Sequence, residues 1–187
     1  MVNNQQALTF PHTYQVYEIP QLLEIYSKGP SRIRMAVHDL LDEELKLRIR
    51  GKEKWSIYEI ILHTADSELV GSVRFKQCII QSVRQFPYYH QDIWCDVFNY
   101  NEYSRERFDK AIDLFELLRW HVYQHLLNVS KEGWNSTGIH HEFGEITLKN
   151  LLELYTDHSE RHLQQINECR QLLGKSTIPI LLETRLY

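Results

Sequence analysis

Glycine and proline are scarce, 7 and 5 among 187 residues. Sharp turns are therefore few, and long uninterrupted elements are favoured. The three cysteines, Cys78, Cys95 and Cys169, are odd in number, widely spaced and free of any C-x-x-C pair. That pattern excludes a disulfide framework and fits reduced thiols in a cytoplasmic protein. An excess of positive charge is also missing: 21 Lys and Arg stand against 25 Asp and Glu, a net charge of -4 with His neutral. No basic patch with interleaved aromatics appears, so nucleic acid is not an expected partner. The first residues, MVNNQQALTFPHTYQVYEI, lack a basic start followed by an apolar run, and no signal peptide is expected. No stretch approaches the ~20 consecutive apolar residues of a membrane span. A G-x-S-x-G elbow, a glycine-rich phosphate loop and internal repeats are all absent, which removes the usual signs of nucleophilic-triad and nucleotide chemistry. With 43% apolar residues, the chain has the material for one core over residues 1–187, after an N-terminal extension of about 1–20.

What is present is helical periodicity. GPSRIRMAVHDLLDEELKLRI begins at a Gly29-Pro30 break and carries Ile33, Ala36, Val37, Leu40 and Leu41 at helical spacing, with a second start at Asp42 continuing through Leu45, Leu47 and Ile49. Ser56 and Glu59 then form an S-x-x-E capping box that opens a long helix. Two apolar stripes run along it: Ile57, Ile60, Thr64, Gly71, Phe75 and Cys78, and Leu62, Leu69, Val73 and Ile80. Between them lies a ridge of His63, Ser67, Val70, Arg74 and Gln77, aimed either at the bundle interior or at solvent. QFPYYHQDIWCDVFNYNEY is aromatic-rich without a clean period and predicts a long loop folded over the bundle, because Trp94, Phe98 and the tyrosines favour burial. A third helix is predicted from Ser104 to about Asn128, on a core stripe of Phe108, Ala111, Ile112, Phe115, Val122 and Leu126. The turn-rich GWNSTGIHHEFGEIT suggests a short hairpin around Gly144. The last helix is capped by Thr147 and ended by Gly174. Four long amphipathic helices joined by long loops predict an all-α four-helix bundle.

Ten histidines are more than such a domain needs. The last helix places Leu151, Tyr155, His158, His162, Ile166, Cys169 and Leu173 on one stripe, with two histidines mid-face. Glu153, Asp157, Glu160, Arg161, Gln164 and Gln165 occupy the other side. Histidines at i and i+4 can share one cation, which makes H-x-x-x-H a credible two-ligand set for zinc or a similar metal. Core histidines hydrogen-bonded to their neighbours are the competing explanation. The order H-S-E-R-H is not the zincin motif, since Glu160 points to the opposite side of the helix and reads as a solvated surface charge. His121 and His125 share the i, i+4 spacing but lie on the flank of their helix's apolar stripe. His140 and His141 would point to opposite faces of a strand and do not chelate together. His12, His38 and His90 are single, and Cys169 reads as a small core residue.

A two-histidine site is incomplete, because catalytic zinc usually takes three protein ligands. His63, early in the polar ridge of another helix, is the best third candidate, with Asp66 as an outer partner that could fix its tautomer. Periodicity alone allows His63 to be a solvent-facing residue instead. Arg74, about three turns on along the same ridge, could meet an anion or a neighbouring carboxylate. Tyr155, one turn before His158, reads as core with its hydroxyl at a cavity edge.

Taken together, Trp55-Ser56, His63, Ala65-Asp66-Ser67, Arg74-Phe75-Lys76, Gly144-Glu145-Ile146-Thr147-Leu148 and His158/His162 resemble the ordered pattern of the DinB-like superfamily. Within it, the similarity is to the YfiT-type branch of metal-dependent hydrolases, which includes bacillithiol transferases. The match spans roughly residues 30–173. The resemblance implies a four-helix bundle in which His63, His158 and His162 bind zinc or nickel, with water positions left open and His121/His125 outside the site. It implies a homodimer acting on a small molecule, by transfer of a low-molecular-weight thiol to an electrophile or by hydrolysis. A non-catalytic metal- or ligand-binding bundle is the alternative.

Overall fold

A computed structural model describes residues 17–81 and 85–182. Four long helices, α1 (Ile19–Val37), α3 (Ile57–Ile80), α5 (Arg105–Leu126) and α6 (Leu148–Leu172), form the bundle. Shorter elements fill the connections: α2 (Asp42–Lys46), α4 (Gln91–Phe98) and the strands β1 (Thr137–His140) and β2 (Gly144–Thr147). The main packing pairs are α1 with α5 and α6, and α3 with α5 and α6, so α1 faces α3 across the diagonal. The strands pair antiparallel, with Thr137 opposite Thr147 and His140 opposite Gly144.

Apolar side chains gather in two clusters, one at each end of the bundle. The first takes Ile33–Leu40 of α1 and its exit, Ile57–Ala65 of α3, Phe108–Phe115 of α5 and Leu163–Cys169 of α6. The second takes Leu22 and Tyr26, Phe75 and Cys78, Val122 and Leu126, and Leu148–Tyr155. This membership fixes the directions: α1 runs parallel to α6, and α3 runs parallel to its neighbour α5. Parallel neighbours cannot be joined by a short turn, and the described residues 85–104 run back along the bundle between them. This is the aromatic-rich segment, and it holds the helix α4 where the lack of period had predicted only loop. Tyr100 is buried and Trp94 half-buried, but Phe98 and Tyr88 remain exposed.

Between the two clusters lies a buried polar layer that draws on all four helices. Arg119 of α5 donates to Glu68 of α3 at 2.6 and 3.1 Å, to Ser159 Oγ of α6 at 2.8 Å and to the Tyr155 carbonyl at 3.0 Å. Tyr26 of α1 donates its hydroxyl to the same Glu68. Both members of the ion pair are about 1% exposed. Breaking a buried pair with this many satisfied donors would leave an uncompensated charge, so the layer ties the four helices together at one level.

The same layer explains a correction at the start of the bundle. Gly29-Pro30 is not a break: α1 runs from Ile19 straight through it, with Pro30 inside the helix. Proline has no N–H, so the Tyr26 carbonyl loses its helical donor. Arg119 Nη1 lies 3.5 Å from that carbonyl and offers a replacement. A Cβ at Gly29 would stand 2.6 Å from the same nitrogen, so glycine there admits the guanidinium. Of the expected N-terminal extension of about 1–20, residues 1–16, His12 among them, lie outside the described residues. The helix expected from Asp42 through Ile49 is also shorter, ending at Lys46 with Leu47 extended.

The helix caps follow the sequence. Ser56 Oγ accepts from the Glu59 amide while the Glu59 carboxylate accepts from the Ser56 amide at 2.7 Å. Thr147 Oγ1 accepts from the Asn150 amide at 3.1 Å. At the far end of α6, Gly174 takes a positive φ of 70° and the Lys175 amide donates back to the Arg170 carbonyl at 2.8 Å.

Candidate metal centre

α3 and α6 pack side by side, and this brings three histidines from distant parts of the chain together. His63 Nε2 and His162 Nε2 each lie 3.0 Å from His158 Nε2. Among the described residues, these three form the one group of three or more His, Cys, Asp or Glu side chains close enough to share a metal, all ligand atoms within 4.8 Å. Nitrogens on one tetrahedral ion at 2.0–2.1 Å would stand about 3.3 Å apart, so small ring rotations accommodate it.

The outer ring nitrogens of two of them are held from behind. His63 Nδ1 lies 3.1 Å from the Tyr89 hydroxyl, and His162 Nδ1 lies 3.0 Å from Gln165 Oε1. An amide oxygen only accepts, so His162 carries its proton on Nδ1 and turns a bare Nε2 lone pair inward. If the Tyr89 hydroxyl likewise accepts, His63 Nε2 is bare too. His158 has one Nε2 proton at most and cannot satisfy both, whereas a cation at the centre would. The donor set fits a divalent metal.

Burial keeps all three rings neutral, which is the ligand form. It holds His63 and His158 well below the usual imidazole range, with His162 adding to the effect in each case. Burial and then the Arg161 guanidinium push His162 down to about 3.

The rings open onto a cavity of about 1090 Å³ lined by His158 and His162, while His63 stands behind Trp55, whose ring centroid is 4.8 Å away. The crossover segment and the hairpin make its other walls. They are joined where the Phe86 amide donates to the Ile139 carbonyl at 3.0 Å. Gly138 permits this, since a Cβ there would sit 2.2 Å from the Phe86 ring. Tyr88 packs edge-on to His90 and tilted against His141 at the rim, with centroids 3.8 and 4.0 Å apart.

Of the polar ridge on α3, His63, Ser67 and Arg74 are buried on the cavity side. Arg74 lines the cavity with its guanidinium already engaged. Nε and Nη2 donate to the Pro87 carbonyl at 3.2 and 2.8 Å, and Nη1 approaches Tyr155 Oη and His140 Nε2 at 3.2 Å. Arg74 thus ties the crossover segment down. Tyr155 stands at the cavity edge as expected. Its ring presses on Gly71, where a Cβ would lie 2.3 Å away. His140 is buried against Arg74 and His141 is exposed, so the two diverge.

Several expectations need correction. Asp66 is not the outer partner of His63; it accepts from the Tyr100 hydroxyl, and burial raises its carboxyl. Tyr89 stands in that place, and Gln165 does the same for His162. Gln165 was legible as the i+3 neighbour of His162, but Tyr89 lies in a segment without period. Glu160 is not a solvated charge: it is about 1% exposed, pairs with Arg32 of α1 and accepts from the Leu181 amide at 2.8 Å. Glu153 and Asp157 are buried as well. α6 is covered on one flank by α1 and on another by residues 176–182, so no broad polar face is left to water. On α3, Leu69, Val73 and Ile80 of the second stripe are exposed, because Glu68 one step round faces α5 through Arg119.

The DinB superfamily model matches residues 25–166. The chain belongs to the DinB superfamily. It is 24% identical over 158 residues to the Bacillus subtilis protein named "Putative metal-dependent hydrolase YfiT", spanning 82% of this chain and 85% of that one. A relative in Oceanobacillus iheyensis carrying the same hydrolase description is 26% identical over 137 residues, 73% of this chain and 77% of its own. The solved structure of YfiT superposes with a TM-score of 0.76 at 21% identity, covering 84% of this chain and 88% of that one. It is described as "a probable metal-dependent hydrolase with an unusual four-helix bundle topology". The parallel α3/α5 neighbours and two diagonal connections found here make a four-helix bundle of unusual topology too.

Proposed function

We propose that this protein is a metal-dependent enzyme in which His63, His158 and His162 hold zinc or nickel, and that it transfers a low-molecular-weight thiol to an electrophile. The observation that carries the metal reading is the convergence of three neutral Nε2 atoms, on buried His63 and His162 and half-buried His158, two of them 3.0 Å from the third, with outer nitrogens of His63 and His162 held by Tyr89 and Gln165. A bound ion of this kind lowers the pKa of a coordinated water or thiol and so supplies a nucleophile near neutral pH.

The residues around the cluster support an anionic reactant. Three neutral imidazoles leave the charge of a divalent ion uncompensated, and Arg161 and Arg74 add positive potential at the cavity wall. The cavity, about 1090 Å³, is slightly larger than the ~300–1,000 Å³ typical of small-molecule sites. That leaves room for two reactants, which S-transfer needs. In that reaction the thiolate sulfur bonds to the electrophilic carbon, the leaving group departs with its electron pair, and the thiol proton goes to solvent. Trp55 and Phe143 wall the site and limit competing water.

Hydrolysis of a small electrophile is the second reading. It is favoured by the names of the relatives, each called a metal-dependent hydrolase, and it uses the same cluster with water as nucleophile. A homodimer accompanies either reading, with exposed Leu69, Val73, Leu114 and Leu117 as apolar surface for it. The test is to incubate metal-loaded protein with a chromogenic electrophile and a panel of cellular thiols, and to identify products by mass. A thiol adduct that requires metal supports transfer. Metal-dependent hydrolysis product alone selects the second reading, and the uncatalysed rate with every pair leaves a non-catalytic metal-binding bundle.

A further inference from the structure

We infer that His121 and His125 form a second, exposed divalent-cation site, independent of the buried three-histidine cluster. Their Nε2 atoms lie 3.3 Å apart. Two imidazoles on one tetrahedral ion with ion–nitrogen bonds of 2.0–2.1 Å would be separated by about 3.3 Å, so the pair already stands at the chelating distance.

The spacing comes from a rigid part of the fold. Both residues project from the last two turns of α5, and Phe115, Arg119, Val122 and Leu126 on the neighbouring stripe are buried in the bundle. The backbone that fixes the i, i+4 geometry is thus anchored, and only two side chains lose freedom on binding. Both rings are exposed, so a cation reaches them without any opening of the core. Histidine with an ordinary pKa of ~6.5 is largely neutral at pH 7. Slight burial, and after it the nearby Lys76 ammonium, move His121 further toward that form. The same ammonium weakens binding somewhat by repelling the cation.

The chemistry selects borderline ions that accept imidazole nitrogen, namely zinc, nickel and copper(II), over magnesium or calcium. With two protein ligands and the remaining positions held by water, the site is weaker and faster to exchange than the three-ligand cluster. The competing explanation is that one ring simply donates its Nε2–H to the other, which needs no ion.

Zinc titration of the chelator-stripped full chain, followed by calorimetry, decides between them. Wild type is expected to bind in two classes, one tight and one weaker, at one equivalent each per chain. The His121→Gln/His125→Gln double variant should lose the weaker equivalent and keep the tight one, with an unchanged melting curve as control. His158→Ala should do the reverse. Absence of a weaker class in wild type, or its persistence in the double variant, overturns the inference. Loss of the tight class from wild type would instead count against the three-histidine reading and leave this one standing.

Discussion

Removing the Tyr89 hydroxyl tests how far the protein builds the metal centre beyond its three ligands. Tyr89→Phe keeps the ring that lies 5.7 Å from His63 and deletes only the oxygen 3.1 Å from His63 Nδ1. Without that partner the imidazole is free to adopt the other tautomer, with its proton on Nε2 where the metal should bind. Loss of such an outer hydrogen bond typically costs about 10–100-fold in metal affinity, equivalent to roughly 1.4–2.7 kcal/mol. Tyr89 is only half-buried, so water can partly replace the hydroxyl, and the lower end, about tenfold, is expected. Gln165→Leu makes the matching change behind His162, and because the two act on different ligands their effects should multiply. The assay is competition with a chromophoric chelator, using wild type, both single variants and the double variant. Zinc affinity unchanged in the double variant would refute the argument that these two oxygens fix the ligand tautomers.

Further expectations follow from the same geometry. Arg119→Met leaves Glu68 buried without its cation and should cost about 3–5 kcal/mol of folding free energy, read by urea denaturation. Gly71→Ala drives a methyl group against the Tyr155 ring and should destabilise by about 1–3 kcal/mol, with the cavity edge distorted; a neutral effect would show the ring moves freely. In the metal-free protein, histidines held neutral by burial bind fewer protons than they do unfolded, so stability is full above the unfolded value near 6.5 and falls as pH drops toward about 3, the value for His162. Each such imidazole steepens the loss by up to about 1.4 kcal/mol per pH unit, and His162→Phe should flatten it in acid denaturation curves. Zinc at 100 times the dissociation constant of the three-histidine site should add about 2.7 kcal/mol to the stability of wild type, and the melting temperature of His158→Ala should not rise at that zinc concentration.

Much of this architecture was legible because it depends on local periodicity and caps. The apolar stripe of α5, the capping box at Ser56, the Thr147 cap and the hairpin at Gly144 are written in adjacent residues. The mid-face placement of His158 and His162 was legible for the same reason. Gly29-Pro30 misled because its meaning lies 90 residues away, in an arginine that enters the gap the two residues leave. Glu68, Arg119 and Glu160 look like surface charges in any window of sequence, and only the packing of four helices turns them inward. Tyr89 could not be paired with His63, since the segment carrying it has no period and its path is set by the need to join two parallel helices.

The most direct test of the central claim is an anomalous-diffraction map of zinc-loaded crystals recorded at the zinc edge. The account predicts a strong peak at about 2.0–2.1 Å from Nε2 of each of His63, His158 and His162, with any second, weaker peak between His121 and His125. A protein that binds zinc tightly yet shows no peak among those three imidazoles would contradict it.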